Sequence, residues 1–566
     1  MGGTLLLAAC GGSGDDGEEG GGDETTITYG MAQPFTAYNN TTASANTVAN
    51  GQVTEWVLSG FWYFGNEDGD LVRDETFGTF EQVSEDPLTV EYTINEEAVW
   101  SDGEAIDCDD ILLWWTAQSG AFDGLFSAIG TDGVEDTARP ECAPGDRTFQ
   151  LAYDTPFADW QFNGPSHGNT TMLPAHVVAE QGGLTSEEFL TALQGEDPAP
   201  LEDAAAFYNE GWTLSGGLPD PELIPSSGPF MITDYVPEQS VTLSANPDYW
   251  GEAPGVDRIV IRQIPEEEQI AALQNGDVDV IEPQPTVDIA QQIADASPGI
   301  ESSVAEENTY EHLDFNFNEG PFADSLPLRQ AFALCVPRET LVENLIRPVV
   351  PDAVVKDVRN VVPWDQEAYQ TAVEASSASL EEFGEQDIDR AREILEAEDA
   401  VGTTVRLGTL DNQRRNDAGN LIVAACNEAG FNVEFEPAAD FFDSALPENN
   451  FDVAMFAWSG SPDRSGWNST YRSVNECTPD GKGNNNGCYS NPDLDALLDE
   501  VLRTSDLTEA DAITGEIEAM LWEDMVTIPL YQHPGIVAWN PDVQNIVNNP
   551  SQNGIVWNLP EWTRAS

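Results

Sequence analysis

Three stretches of the sequence gather side chains that could do chemistry. Gly164-Pro165-Ser166-His167-Gly168 fits the GxSxG pattern of a hydrolase nucleophile elbow, in which the serine sits on a sharp turn between a strand and a helix. Here Asn169-Thr170-Thr171-Met172-Leu173-Pro174 follows and supplies no helix, so the local context predicts a turn. Leu214-Ser215-Gly216-Gly217 matches a signature of certain ATPases, but no phosphate-cradling GxxxxGK[ST] occurs in the chain, so nucleotide hydrolysis has no site. "NEDGDLVRDE" spaces carboxylates as a calcium loop does, without the glycine and terminal glutamate such a loop requires, and reads as an acidic turn. Carboxylate pairs at glycosidase spacing arise by chance among 102 Asp and Glu, so none is informative. With four histidines and no CxxC, neither a metal site nor a cofactor is expected. A secreted serine hydrolase using Ser166 is the catalytic alternative to a chain that binds without reacting.

The elements that would position these residues mix strands and helices throughout. "ITYGMAQPFTAYNN" reads as a strand entering a turn, and "LTVEYTI" alternates like a half-buried strand. "DCDDILLWWTAQ" opens with acids suited to a helix N-terminus. "VDRIVIRQI", "EEEQIAALQNG" and "DVDVIEP" form a strand, a helix stopped by Gly276 and a strand, a βαβ unit. "HLDFNFN" alternates, and "LPLRQAFALCV" and "DIDRAREILEAE" have helical period. "TVRLGTL", "GNLIVAACNEAG" and "NVEFEPA" repeat strand, helix and strand, followed by the strand "FDVAMFAW", which argues a second α/β lobe. Helices in "DLDALLDEVLRT" and around "AITGEIEAMLWEDM", then a strand "TIPLYQHPGIVAW", close the chain.

Composition excludes several partners. A chain of 566 residues with 40% hydrophobic content is long enough for two or three domains. Its net charge is −82, with Lys356 and Lys482 the only lysines, so nucleic acid and anionic lipid are repelled. Acids spread along the whole chain, with almost no lysine, predict adaptation to high salt. At the start, Leu7-Ala8-Ala9-Cys10 resembles the lipobox at which bacterial lipoproteins are cleaved and acylated on cysteine. The apolar run before it is short and lacks basic residues, as in a truncated signal. The Gly- and acid-rich segment from Gly11 to Glu24 would then be a flexible tether. Without Cys10 six cysteines remain, and of their 15 possible connectivities the favoured one is Cys108 with Cys142, Cys335 with Cys426 and Cys477 with Cys488, each closing a loop within one region. Disulfides imply an oxidising compartment outside the cytoplasm.

Residues 225 to 283 carry a specific resemblance. Ser227-Gly228-Pro229-Phe230, Asn246-Pro247-Asp248-Tyr249-Trp250 and the run from Ala271 to Val280 are similar to the most recognisable block of the family 5 bacterial extracellular solute-binding proteins. "AVWSDGEAIDCDDILLWW", "NNFDVAMFAWSG", "YSNPDLDALLDEVL" and "IPLYQH" agree in order, so the resemblance spans nearly all of the chain after the tether. It implies an α/β, two-lobed periplasmic-binding-protein-like fold (type II, cluster C-like) with an extra subdomain in the N-terminal lobe. The expected division is a leader and tether over 1–24 and lobe I over 25–312, with an inserted subdomain at about 60–214. Lobe II covers 313–530, and 531–566 return to lobe I.

The resemblance also implies a function: an ABC importer's solute-binding lipoprotein, anchored to the outer face of the cell membrane or periplasmic. Its partners would be a small, peptide-like solute and the permease subunits, and the chain would be a monomer; a ligand-presenting sensor is a further alternative. The turn Phe35 to Asn40, including Tyr38 and Asn39, corresponds to one cleft wall, with Phe126 beside it. Asn40 stands where relatives often carry proline. Trp458, Ser459, Gly460, Ser461 and Asp463 correspond to the opposing wall. Ser461 occupies the position of the aspartate with which peptide binders often hold an ammonium, and Asp463 lies two residues on. Phe441 or Phe442 would substitute for a cleft tryptophan, and the chain would cross between lobes near Asn316 and Tyr531.

Overall fold

The computed structural model describes residues 25–42, 44–131, 133–359, 366–459, 466–474, 476–478 and 483–565. Its largest feature is a ten-stranded sheet built from β1 (Thr26–Met31), β2 (Phe230–Val236), β3 (Ser240–Ala245), β4 (Arg258–Gln263), β5 (Val280–Ile281), β6 (Glu301–Phe315), β7 (Thr404–Leu410), β8 (Asn432–Ala438), β9 (Val453–Ser459) and β10 (Thr527–Trp539). Their spatial order is β8-β7-β9-β6-β10-β5-β1-β4-β3-β2.

Both strand-helix-strand units are present. In the first, β4 leads through the helix Glu266–Asn275, ended by Gly276 in the left-handed region at φ 73°, to β5. The two strands flank β1, and both run parallel to it. In the second, β7 and β8 are parallel neighbours joined by the helix Gln413–Ala429. Asn412 accepts from the Arg415 amide at the start of that helix, and Gly430 at φ 119° ends it. Apolar side chains from each unit feed a separate core, one around Ile27, Trp100, Tyr92 and Trp562, the other around Phe315, Phe332, Ile422 and Met455.

Only β6 and β10 belong to both halves of the sheet. From Glu301 to Glu306, β6 pairs with β10 from Trp539 to Pro534, where β10 also meets β5. From Tyr310 to Asp314 it pairs with β10 from Gln532 to Thr527, and its other edge meets β9. The register breaks between Glu306 and Tyr310, as an extra residue or two in one strand bends a ladder. "HLDFNFN" signals only the second part of β6; the acid-rich stretch before it lacks an apolar alternation and is held extended by its neighbours. β10 is buried along nearly its whole length, as expected of a strand covered on both faces.

A three-stranded sheet of Gly78–Glu85, Leu88–Ile94 and Thr148–Ala152 stands apart in the N-terminal half, against the helix Cys108–Gln118. Asp107 and Asp110 form a capping box at the start of that helix. Cys108 and Cys142, Cys335 and Cys426, and Cys477 and Cys488 are bonded. No helix among the described residues is long and apolar enough to cross a membrane. Cys10 and the tether lie outside the described residues.

Candidate functional site

Ser166 sits in a buried turn with no helix after it; the next helix is Ala175–Gln181. Its hydroxyl donates to the His167 carbonyl at 3.0 Å and accepts from the Thr170 amide at 3.0 Å. The adjacent imidazole cannot serve as its base. His167 Nε2 is 3.0 Å from Asp74 Oδ2, and Nδ1 is 3.1 Å from the Glu55 carbonyl, so both ring nitrogens are engaged elsewhere. Burial pulls the His167 pKa down, but Asp74 outweighs it and raises the pKa above the ordinary value. The geometry gives the serine hydrolase alternative no catalytic constellation.

The turn after β1 is built from within its own half. Tyr38 donates its hydroxyl proton to the Pro225 carbonyl. Asn39 donates to the Tyr208 carbonyl at 2.8 Å and accepts from the Thr41 amide at 2.9 Å. Asn40 donates to Asn169 Oδ1 at 2.9 Å and accepts from the Thr47 amide at 3.0 Å. The Phe35 carbonyl accepts from the Tyr235 hydroxyl at 3.1 Å, and Phe126 packs edge-on against Tyr208, 5.3 Å between ring centres. These residues are brought together, but their polar side chains are occupied in shaping the turn; Asn40 is tied at both ends.

Across the shared strands, β9 carries Trp458 opposite Tyr310 of β6. The Trp458 ring lies nearly parallel to His312 at 6.1 Å and edge-on to Phe456 at 5.2 Å. Alternation along β6 and β9 puts these rings on one face. Trp458 Nε1 and both ring nitrogens of His312 have no hydrogen-bond partner among the described residues, although His312 Nε2 lies 3.2 Å from Asp314 Oδ1, out of line for a bond. Ser459 ends β9 opposite Thr309. Gly460, Ser461 and Asp463 lie outside the described residues. Phe441 is buried against Gly408, whereas Phe442 is 42% exposed. Asn316 donates to the carbonyls of Asn449 and Phe451 at 3.0 and 2.9 Å, a structural role in the second half, and Tyr531 is buried opposite Glu311.

Between the halves runs a buried charge network that sequence reasoning did not find. Arg415 Nε donates to Glu311 Oε1 at 2.8 Å, and His533 Nε2 donates to Glu311 Oε2 at 2.8 Å. Arg414 Nη2 meets His533 Nδ1 at 2.9 Å, and its Nη1 reaches the Pro285 carbonyl at 3.4 Å. Arg414 belongs to the helix of the second half and Pro285 follows β5 of the first, so this chain of bonds spans the register break. Burial pushes the Glu311 carboxyl up, but Arg415 and His533 hold it well below the ordinary range. Burial and the charge of Arg414 push His533 down to about 4, so the neutral ring donates to Glu311 and accepts from Arg414. Glu307, in the break itself, and Glu282, after β5, are both raised to about 7 by burial, Glu307 further by the charge of Glu282. The one signal in the sequence was the Arg414-Arg415 pair in a chain with 20 basic residues.

Residues 52–476 match the profile of the bacterial extracellular solute-binding proteins, family 5 Middle. An uncharacterized lipoprotein of Mycobacterium tuberculosis is 28% identical over 561 residues, covering 95% of this chain and 93% of the relative. The oligopeptide-binding protein OppA of Mycobacterium tuberculosis is 26% identical over 491 residues, 85% of this chain and 75% of its own length. Among solved structures, the periplasmic EDTA-binding protein EppA superposes with a TM-score of 0.83 at 23% identity, covering 96% of this chain and 97% of that one. AppA from Bacillus subtilis, solved with a nonapeptide, superposes with a TM-score of 0.70 at 18% identity, covering 96% and 99%. The two halves that share β6 and β10 are thus the lobes of a two-lobed binding-protein fold, and the chain belongs to the bacterial extracellular solute-binding proteins, family 5.

Proposed function

We propose that this chain captures a peptide-like solute between its two lobes outside the cytoplasm and delivers it to the permease of an ABC importer, without chemical change to the solute. The observation that carries the reading is the register break in β6 between Glu306 and Tyr310, opposite Pro534 and Gln532 of β10. Two shared strands whose ladder is interrupted there, and again between Glu311 and His312, are a hinge about which lobes can close on a ligand. On this reading the lobe boundary lies at 307–309 and 533, near the division expected at 312/313 and 530/531. The turn Phe35 to Asn40 and the segment Trp458 to Asp463 are the opposing walls. A peptide is favoured because OppA and AppA, similar along most of this chain, carry that specificity in their names. Relatives named as lipoproteins support acylation of Cys10, with the acidic segment to Glu24 as a tether and the protein a monomer on the membrane.

The test is mass spectrometry of the solute released from protein purified from native membranes, followed by small-angle scattering of the emptied protein with and without that solute. A fall in radius of gyration on binding is expected. Binding with an unchanged scattering curve would overturn closure. Equal partition of wild type and Cys10→Ser into the aqueous phase of a detergent extraction would remove the anchor.

A further inference from the structure

At the joint between the lobes, His533 of β10 is held from two sides. Its Nε2 lies 2.8 Å from Glu311 Oε2 of β6, and Arg414 Nη2, from the lobe II helix Gln413–Ala429, lies 2.9 Å from Nδ1 and 3.3 Å from Nε2. The buried Glu311 carboxylate, tied to Arg415 at 2.8 Å, accepts the Nε2 proton, which leaves Nδ1 as the bare nitrogen of a neutral ring. A second proton, on Nδ1, would set two cations 2.9 Å apart in a buried site, so the guanidinium and the imidazolium cannot share this geometry. The same guanidinium reaches into lobe I, with Nη1 3.4 Å from the Pro285 carbonyl beyond β5.

We propose that the contact of Arg414 with His533 and Pro285 is an acid-released latch between the lobes: the neutral ring holds lobe II against lobe I, and protonation of His533 drives Arg414 off. Burial and the charge of Arg414 push His533 down to about 4 in the latched state, against the pull of Glu311. Once Arg414 swings away, the ring returns toward its ordinary value of 6.5. The unlatched state then binds a proton that the latched state excludes, so the stability the latch contributes is full above about pH 6.5 and is lost as pH falls to about 4. The other groups at the joint do not titrate through this window in a way that mimics it. Glu311 is held ionised by Arg415 and His533, and burial keeps the Tyr531 phenol protonated. Glu307, whose side chain packs over Gly535, and Glu282 beside it take up their protons around 7, at the top of the window. Glu266 of lobe I, raised by burial and by Glu267, is the further acid that feels the charge of Arg414, and Glu306, opposite Pro534, acts on Lys356. The latch rests on the reading that the two lobes close.

The experiment is small-angle scattering of the solute-free full chain from about pH 7 to about pH 4 in molar NaCl, which screens the acidic surface far more than a buried pair. His533→Gln keeps a donor for Glu311 and an acceptor for Arg414 but takes no proton. Wild type is expected to swell, its radius of gyration rising as pH falls, whereas His533→Gln stays compact throughout and Arg414→Gln has the acid radius at every pH. Nitrogen NMR of the histidine rings gives a second readout, His533 being the signal missing from His533→Gln. Its titration is expected at about 4 in the wild type and to shift toward 6.5 in Arg414→Gln. A wild type that swells only in step with a folded His533→Gln overturns the latch, as does a wild-type His533 that titrates at its ordinary value. If Arg414→Gln melts early, the wild type and His533→Gln decide. A chain whose scattering changes with neither acid nor the co-purified solute overturns latch and closure together, whereas closure on that solute without a His533-dependent acid step overturns the latch alone.

Discussion

The amide of Ala158 donates to the carbonyl of Leu502 across 2.6 Å, joining a loop of lobe I to the end of the lobe II helix Pro492–Val501. Leu502 packs against apolar side chains of both lobes. This bond lies outside the two shared strands, so rotation about the register break must separate its partners. Hydrogen exchange of the segment around Ala158 is expected to slow when solute is added, because closure holds the bond made. Exchange there that is indifferent to a bound solute would place closure elsewhere.

Trp458 is expected to carry a large part of solute affinity. A buried aromatic contributes about 1 to 3 kcal/mol, so Trp458→Ala should weaken binding of the native solute roughly ten- to a hundredfold. Titration calorimetry measures it, with circular dichroism to confirm that Phe456 and His312 still pack. Wild-type affinity in the folded variant would remove β9 from the binding wall.

Stability should fall as pH rises through neutrality. Glu282 and Glu307 titrate at about 7 in the folded chain, against about 4.5 when unfolded. The native state therefore holds protons that the unfolded state releases, and the stability these groups contribute is full below about pH 4.5 and lost by about pH 7. Melting temperature should decline between these limits, and Glu282→Gln with Glu307→Gln should flatten the decline. An unchanged slope in the double variant would assign it to other groups.

Salt should stabilise the protein strongly. A net charge of −82 repels itself, and counter-ions screen that repulsion. Melting temperature is expected to climb steeply from low to molar NaCl, and a flat curve would contradict adaptation to high salt.

The Cys335–Cys426 bridge ties the end of the helix Leu326–Cys335 to the helix Gln413–Ala429, with both sulfurs buried in the lobe II core. Replacing both cysteines by alanine should lower stability by about 2 to 5 kcal/mol. Urea denaturation of lobe II fluorescence reads this loss, and non-reducing peptide mapping identifies the partners.

Much of the fold was legible in the chain because its signals are local. Alternation in "TVRLGTL" and "FDVAMFAW", and the stops at Gly276 and Gly430, depend on neighbours a few residues away. So did the capping acids before Cys108, and the local pairing rule matched all three bridges. The ordered motifs from Ser227 to Val280 named the family. Composition alone argued against a nucleic-acid partner and raised the question of salt. Tertiary structure decided which side chains are free and which are consumed. Asn39 and Asn40 looked available as residues in a turn, yet Tyr208, Asn169 and Thr47 take their polar groups. Glu311, Arg415, His533 and Arg414 come from three separate segments and become one network only where β6, β10 and the helix Gln413–Ala429 meet. Such contacts are set by the mutual fit of distant surfaces, and no period or motif in the chain encodes them.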